Sequence, residues 1–232
     1  MAEMAEAGFW ERVSLTTRWG AYVSAVEKRA ILRGHASAQP TGLALEIGCE
    51  SGRWSQLLSA LGWRMTCIDI DPRALDLCQR RLPHATCLLA RCSDSSIPCQ
   101  AKSQNLAVCI EVAPVIHSPW FLPEAQRVLA QHGVLVGINW NRTSWRGCVD
   151  RVRRQSGGGS REDYYRRAYR TYRAELAGAG FEVLHEEGYC WSPFPRTSNS
   201  RLISVFVRAE RMLGLHRWIA LSPWIAFVAR KR

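Results

Sequence analysis

The stretch Leu43–Trp54, LALEIGCESGRW, sets two carboxylates, Glu46 and Glu50, among two glycines, Gly48 and Gly52. An apolar run, a glycine-bearing turn and a helical pattern form the strand–turn–helix layout that holds nucleotide-like ligands. A turn built for pyrophosphate offers backbone donors and a helix dipole to an anion, and two carboxylates at that spot repel one. The spacing Glu-x-Gly-x-x-x-Gly also lacks the third glycine of the dinucleotide fingerprint. A cationic ligand end fits better. Glu46 at the strand end is then placed to hold an ammonium, while the helix N-terminus takes a carboxylate of the same ligand. Gly48 allows the tight turn and Gly52 close helix packing, since neither carries a Cβ. A second acid, Asp69 in CIDID, lies 23 positions after Glu46, near the roughly 20-residue distance at which a carboxylate meets ribose hydroxyls. Together these residues match in charge a ligand that would carry an amino group and a sulfonium with an adenosine attached. Glu50 stays open between a second cation ligand and a solvent-facing side chain.

The elements that must position these residues alternate along the chain. Apolar residues at helical spacing in FWERVSLTTRWGAYVSAVEKRAILRG predict one or two helices before the sheet, ending near Gly34. Strands are expected at Leu43–Ile47, Met65–Ile70, Ala85–Ala90, Leu106–Glu111 and Val134–Asn139. Helices are expected at Arg53–Leu61, Pro72–Arg81 and Trp120–Ala130. Strands separated by single helices require crossovers, hence a parallel sheet covered on both faces. Gly157–Gly159 then interrupts a basic stretch and reads as a lid hinge or a plain connector. Ser160 and Asp163 resemble a capping box for a helix whose buried stripe is Tyr165, Tyr169, Tyr172 and Leu176. Phe181–Glu187 and Trp224–Ala229 are the last two strands, and an insertion longer than thirty residues between them is of the kind that carries function.

LEIGCESGRWSQLL resembles the glycine motif of the class I S-adenosylmethionine-dependent methyltransferases, and CIDIDPRAL their ribose motif. LAVCIEVAPVIHSPWFLPEAQRVLAQHGVLVGI is similar to their fourth strand, following helix and fifth strand. The resemblance runs from Leu43 to Ile138 and is closest to the small-molecule branch. It implies an α/β fold, a Rossmann-like, mostly parallel seven-stranded sheet with helices on both faces. An N-terminal helical cap and a helical insertion between the last two strands complete it. The expected organisation is one domain over 1–232, with the cap at 1–40, the cofactor core at 41–140 and substrate-side elements at 141–232. It further implies S-adenosyl-L-methionine as cofactor, with Glu46 near its methionine end, Asp69 on ribose and Ile70 against adenine. Ile110 at the tip of the fourth strand joins the cofactor set, and the adenine-contacting loop maps onto Ser93 and Asp94. The family's usual acid falls on Ser93, and Glu50 stands where the family commonly has glycine.

Methyl transfer mainly needs positioning and exclusion of water, with a base where the acceptor loses a proton. His117, after the fourth strand, is the candidate base, with a surface or structural histidine as the plain alternative. Asn139, Trp140 and Asn141, after the fifth strand, are placed on the substrate side, and Trp19 and Tyr22 are candidates to close over the cofactor. In the insertion, Arg201, Ser204, Arg208 and Arg211 share one helical face while Leu202, Phe206, Ala209 and Leu213 share another. Such a segment caps a hydrophobic pocket, docks a second subunit or lies on an anionic membrane; the pocket cap is the favoured expectation, with an apolar, aromatic or anionic acceptor.

With 31 Lys and Arg against 20 Asp and Glu the chain carries +11, which favours anionic partners. An RNA-modifying enzyme and a cofactor-binding module without catalysis are the alternatives, though no RNA-binding module signature accompanies the charge. Monomer and homodimer both stay open. Nine cysteines without CxxC spacing read as reduced core thiols, with no metal expected and a cytoplasmic setting. The N-terminal segment lacks the basic-then-apolar order of an export signal. WIALSPWIAFVA is too short and broken to cross a bilayer, so membrane contact is expected only at the periphery.

Overall fold

A computed structural model of the protein describes residues 8–157 and 164–232. Two helices, α1 (Phe9–Thr16) and α2 (Arg18–Ser37), precede β1 (Leu43–Ile47), α3 (Arg53–Ala60), β2 (Arg64–Asp69), α4 (Pro72–Arg81) and β3 (Thr86–Leu89). Then come β4 (Gln104–Cys109), α5 (Ala113–Ile116), α6 (Phe121–Val128), β5 (Leu129–Trp140), α7 (Trp145–Gln155) and α8 (Tyr169–Gly178). The chain closes with β6 (Phe181–Tyr189), α9 (Leu202–Met212), a 3₁₀ turn at Leu215–Arg217 and β7 (Trp224–Lys231).

The strands form one seven-stranded sheet in the order β3-β2-β1-β4-β5-β7-β6. All pair in parallel except β7, which runs antiparallel to both β5 and β6. β1, β4 and the second half of β5 are buried on both faces, as the continuous apolar runs LALEI, LAVC and VLVGI require of central strands. Strand order reverses between β1 and β4, so a crevice opens at their carboxyl ends, where the first turn and the tip of β4 stand opposite each other.

Helix α2 packs against the face of the sheet near β4 and β5. The missing side chain of Gly34 leaves room there, since a Cβ would stand 2.3 Å from Val136 Cγ2. The N-terminal helix therefore continues past Gly34 to Ser37, because this glycine serves close packing rather than termination. Two further helices stand outside the expected set: α5, a single turn with no readable period, and α7, whose Trp145, Cys148, Val149 and Val152 do fall at helical spacing. Gly158, Gly159, Ser160 and Asp163, members of the expected hinge and capping box, lie outside the described residues. The helix expected after them starts later, at Tyr169, so Tyr165 stands before it; Tyr169, Tyr172 and Leu176 do form its buried stripe.

Asn141, expected to face substrate, is instead fully buried at the end of β5 and braces three loops. Its Nδ2 donates to the carbonyls of Ala220 (2.9 Å) and Ser222 (3.1 Å) ahead of β7. Its Oδ1 accepts from Thr143 and from the backbone N–H of Tyr169 at the start of α8. An amide so occupied has no capacity left for a ligand. Replacing it, Asn141→Ala, strands buried backbone groups in two loops and is expected to lower stability by about 3 kcal/mol. A fall in the urea midpoint at unchanged slope measures it.

Candidate active site

The crevice holds a cleft of about 680 Å³ whose floor is the first turn and whose sides are the tips of β2 and β4. Asp69, Ile70, Asp94 and Ile97 line it from the side of β2 and β3, and Gly48, Glu50 and Glu111 from the first turn and the tip of β4. Gly48 adopts φ +73°, and a Cβ there would lie 2.3 Å from Val112 Cγ2, so only glycine lets the turn pass beneath the β4 loop. Gly52, at φ +80°, lies under α4, where a Cβ would meet Cys78 Sγ at 2.7 Å.

Asp69 organises the adenosine end. Its Oδ2 accepts the backbone N–H of Glu50 at 2.8 Å, and its Oδ1 accepts those of Ile70 (2.7 Å) and Asp71 (3.0 Å). Ile70 projects from this knot and is 57% exposed, a flat apolar platform at the cleft. Asp94 borders the cleft and caps its own loop by accepting from Arg91 N–H at 2.8 Å, whereas Ser93 does not reach the cleft wall. Ile110 lines it as expected of its place on the β4 tip.

At the other end a small cavity is lined by Glu46, Glu50, Arg53, Trp54, Glu111 and Trp10. Glu46 is buried and accepts a hydrogen bond from Ser55 Oγ at 2.5 Å. Burial pushes its carboxyl up to about 8; the Ser55 bond opposes that and the neighbouring Cys67 adds to it. Arg53 reaches Glu27 at 3.2 Å and Ser24 at 2.9 Å, and its guanidinium lies over the Trp54 ring. Glu50 resolves in neither of the two expected ways. At φ +47° it turns its carboxylate onto α1, where Oε1 accepts the Trp10 N–H at 3.0 Å, so it latches the N-terminal helix to the turn while still bordering both cavities.

Several expected substrate residues stand elsewhere. His117 is buried, with Nε2 3.0 Å from the Tyr164 carbonyl and its ring between Trp140 and Tyr172, so it does not line the cleft. Trp140 is buried against Trp224, and Asn139 lies fully inside the sheet–helix interface. Trp19 is buried edge-on to Trp224. Tyr22 donates to Glu210 at 2.8 Å and accepts the Cys190 N–H at 3.0 Å, which ties α2 to α9 rather than covering a cofactor. Asn139 and Trp140 share one reason: β5 continues to Trp140 and pairs with β7 to its end, so both residues belong to the centre of the sheet. The apolar stripe of α9, expected to cap the pocket, contributes no wall to the cleft either.

Others arrive unannounced. Glu111 sits at the β4 tip with φ +57° and lines both cavities; its Oε1 is buried without a hydrogen-bond partner among the described residues. Burial raises its carboxyl, against the pull of Arg196 and Arg53. Arg196 comes from the β6–α9 connection and lies over the rings of Trp10 (5.0 Å), Tyr164 (4.7 Å) and Trp224 (4.9 Å). An acid in the strand-tip motif IEVAP was the one visible signal for Glu111; nothing local marks Arg196, which depends on contacts across the whole chain. Beneath the turn, Cys49, Cys67 and Cys78 gather with their sulfurs all within 4.8 Å of one another, a convergence that their wide spacing conceals. Cys49 and Cys67 already donate, to the Glu50 carbonyl and to Ser55 Oγ.

Residues 45–137 match the family model described as a methyltransferase domain. Over these residues the chain carries a methyltransferase domain, and its fold is that of S-adenosylmethionine-dependent methyltransferases. Solved structures of the same fold include an S-adenosylmethionine-dependent methyltransferase from Methanosarcina mazei, 18% identical, covering 85% of this chain and 95% of that one at a TM-score of 0.61. Another, from Mesorhizobium loti, is 17% identical with 88% and 97% covered and a TM-score of 0.61. Geranyl diphosphate C-methyltransferase from Streptomyces coelicolor A3(2) is 14% identical with 91% and 82% covered, also at 0.61. No protein of curated function matches the chain by sequence.

The cofactor of this methyltransferase domain is S-adenosyl-L-methionine, and the residues present fit it. The glycine cradle leaves room where a Cβ would clash, and the second-strand acid and an exposed apolar platform stand at one end. Carboxylates and an arginine stand at the other. Glu46 then gives the site a pH signature. Its folded pKa of about 8 exceeds the ordinary 4.5, so the native state keeps a proton that the unfolded chain releases. That contribution is complete below pH ~4.5 and is lost as pH rises through ~8. In the cofactor-free protein Glu46→Gln should flatten this decline, by a few kcal/mol at most, in denaturation series across that range.

Proposed function

We propose that this domain methylates an oxygen or nitrogen of a small acceptor with an apolar or aromatic body, using Glu111 to orient the acceptor and take its proton. The observation that carries this reading is the place of Glu111, a half-buried acid at positive φ with its Oε1 buried, where the cofactor cleft meets the cavity at the methionine end. A non-glycine residue held at positive φ costs of order 1–3 kcal/mol, so its surroundings must enforce it. S-adenosylmethionine supplies an electrophilic methyl on sulfonium and leaves as a neutral thioether.

The chain's own residues bind, orient and keep the site dry. Asp69 spends three of its roughly four acceptor positions on backbone N–H groups, which leaves one on Oδ2 for a ribose hydroxyl. Ile70 supports adenine, and Asp94 stands at the adenine edge. Glu46 takes the ammonium and, in doing so, gives up its proton; Arg53 is the cation nearest for the ligand carboxylate. The acceptor lies against Val112, Val115, Trp120 and Tyr164, whose apolar faces exclude water from the transfer. Glu111 would take the proton of the acceptor's O–H or N–H group, while S-adenosylmethionine, when bound, would supply the methyl to that atom and depart as the thioether. Arg196, held by three aromatic rings beside this wall, suits an acceptor that also carries an anionic group. The Streptomyces protein above is itself described in complex with geranyl diphosphate, an apolar chain with an anionic head.

Two variants test the assignment. Glu111→Gln preserves shape and should lower methyl incorporation by about a hundredfold while calorimetric affinity for S-adenosylmethionine stays within about twofold; incorporation at the native rate removes the base. Asp69→Ala should weaken that affinity by at least about tenfold. Native affinity in a folded Asp69→Ala protein would remove the ribose assignment.

A further inference from the structure

The segment from Arg201 to Leu221 gives the cleft no wall and touches the sheet mainly through the Leu215–Arg217 turn on β6 and the Ala220 carbonyl. Within α9, Ile203 and Glu210 face the protein, while Leu202, Val205, Phe206, Met212 and Leu213 line the outward side with exposures of 56, 60, 42, 87 and 67%. At about 100° per residue this stripe covers roughly a third of the helix circumference. Beyond it, Trp218 and Leu221 are also half exposed or more. Large apolar side chains gathered in this way on a helix surface mark a contact that lies outside the chain.

Charge says what the contact is. Between Arg201 and Ser222 the chain has four arginines, Arg201, Arg208, Arg211 and Arg217, against a single acid, Glu210. That acid is buried and bonded to Tyr22, so it adds no acidic surface here. Arg201 and Arg208 border the apolar stripe directly, one turn-pair apart along the helix. A second copy on a twofold axis would bring these arginines toward their own kind, on a chain already at +11. An apolar stripe edged by arginine matches the boundary of an anionic bilayer, with the side chains of the stripe among acyl chains and guanidinium groups at the phosphates.

We propose that α9 and the turn after it dock this protein on an anionic lipid surface. No helix among the described residues is long and apolar enough to cross a membrane, so the contact is peripheral. Docking also reaches the cleft. Phe206 packs edge-on against Phe194 at 5.4 Å, and Arg196, which lies over Tyr164 of the acceptor wall, follows two residues later. Seating α9 in lipid thus sets the acceptor wall beside a bilayer, which suits an acceptor drawn from it.

The test is flotation of the full chain with vesicles of phosphatidylcholine alone and with about 30 mol % phosphatidylglycerol added. At low salt the anionic vesicles should retain at least about tenfold more protein, and raised salt should reverse it. Val205→Glu with Leu213→Glu should abolish flotation, and Arg201→Glu with Arg208→Glu should remove its dependence on phosphatidylglycerol. Both double variants should keep native affinity for S-adenosylmethionine, which shows that they fold and separates this result from the methyl-transfer reading. Equal retention on both vesicle types overturns the proposal, as does native flotation by the Val205/Leu213 variant. A wild-type dimer that this variant converts to monomer also overturns it, because the stripe then covers a second copy.

Discussion

The site depends on one carboxylate that serves the backbone before it serves any ligand. Asp69 gathers the N–H groups of Glu50, Ile70 and Asp71, and so ties the turn after β1 to the loop after β2. Two chain segments that carry the ligand-facing groups are locked at a fixed separation. A charge-assisted bond of this kind is worth more than a neutral one, and the one from Glu50 holds the turn against the strain of that residue's positive φ while the other two fix the loop after β2. Glu50, in a position that glycine would fill more easily, repays its positive φ by latching α1 through Trp10.

Around this knot the molecule concentrates buried charge. Glu27, Glu46 and Glu111 all have carboxyls raised by burial, and the arginines Arg53 and Arg196 oppose that shift at Glu27 and Glu111. Arg53 is paired directly with Glu27, while Arg196 is held by aromatic faces. Buried acids that are only partly neutralised cost stability and are kept where a charged ligand completes them. An ammonium and a carboxylate on one cofactor, arriving between Glu46 and Arg53, complete both. The same region is closed by α1, the β6–α9 connection and the residues near Tyr164, so the acceptor wall is assembled from parts remote in sequence.

Amino-acid order alone determined the α/β alternation, the parallel crossovers, the glycine turn and the acid at the tip of β2. Each is local: apolar period, turn chemistry and a fixed spacing along neighbouring strands are written within about thirty residues. The helix Pro72–Arg81 was legible to its last residue because Asp71 caps it and Pro72 starts it. Tertiary structure decided what the loops do. Trp140 is drawn into β5 by its pairing with β7, Asn141 is buried beneath the residues that precede β7, and His117 is covered by Trp140 and Tyr172. Glu111 takes up the cleft-facing place with Arg196 stacked on Tyr164 of the cleft wall, and the α9 stripe faces away from the cleft. Such outcomes turn on which side of a packed layer a side chain falls, and that is fixed by strand register and by contacts across more than a hundred residues, which no local pattern encodes.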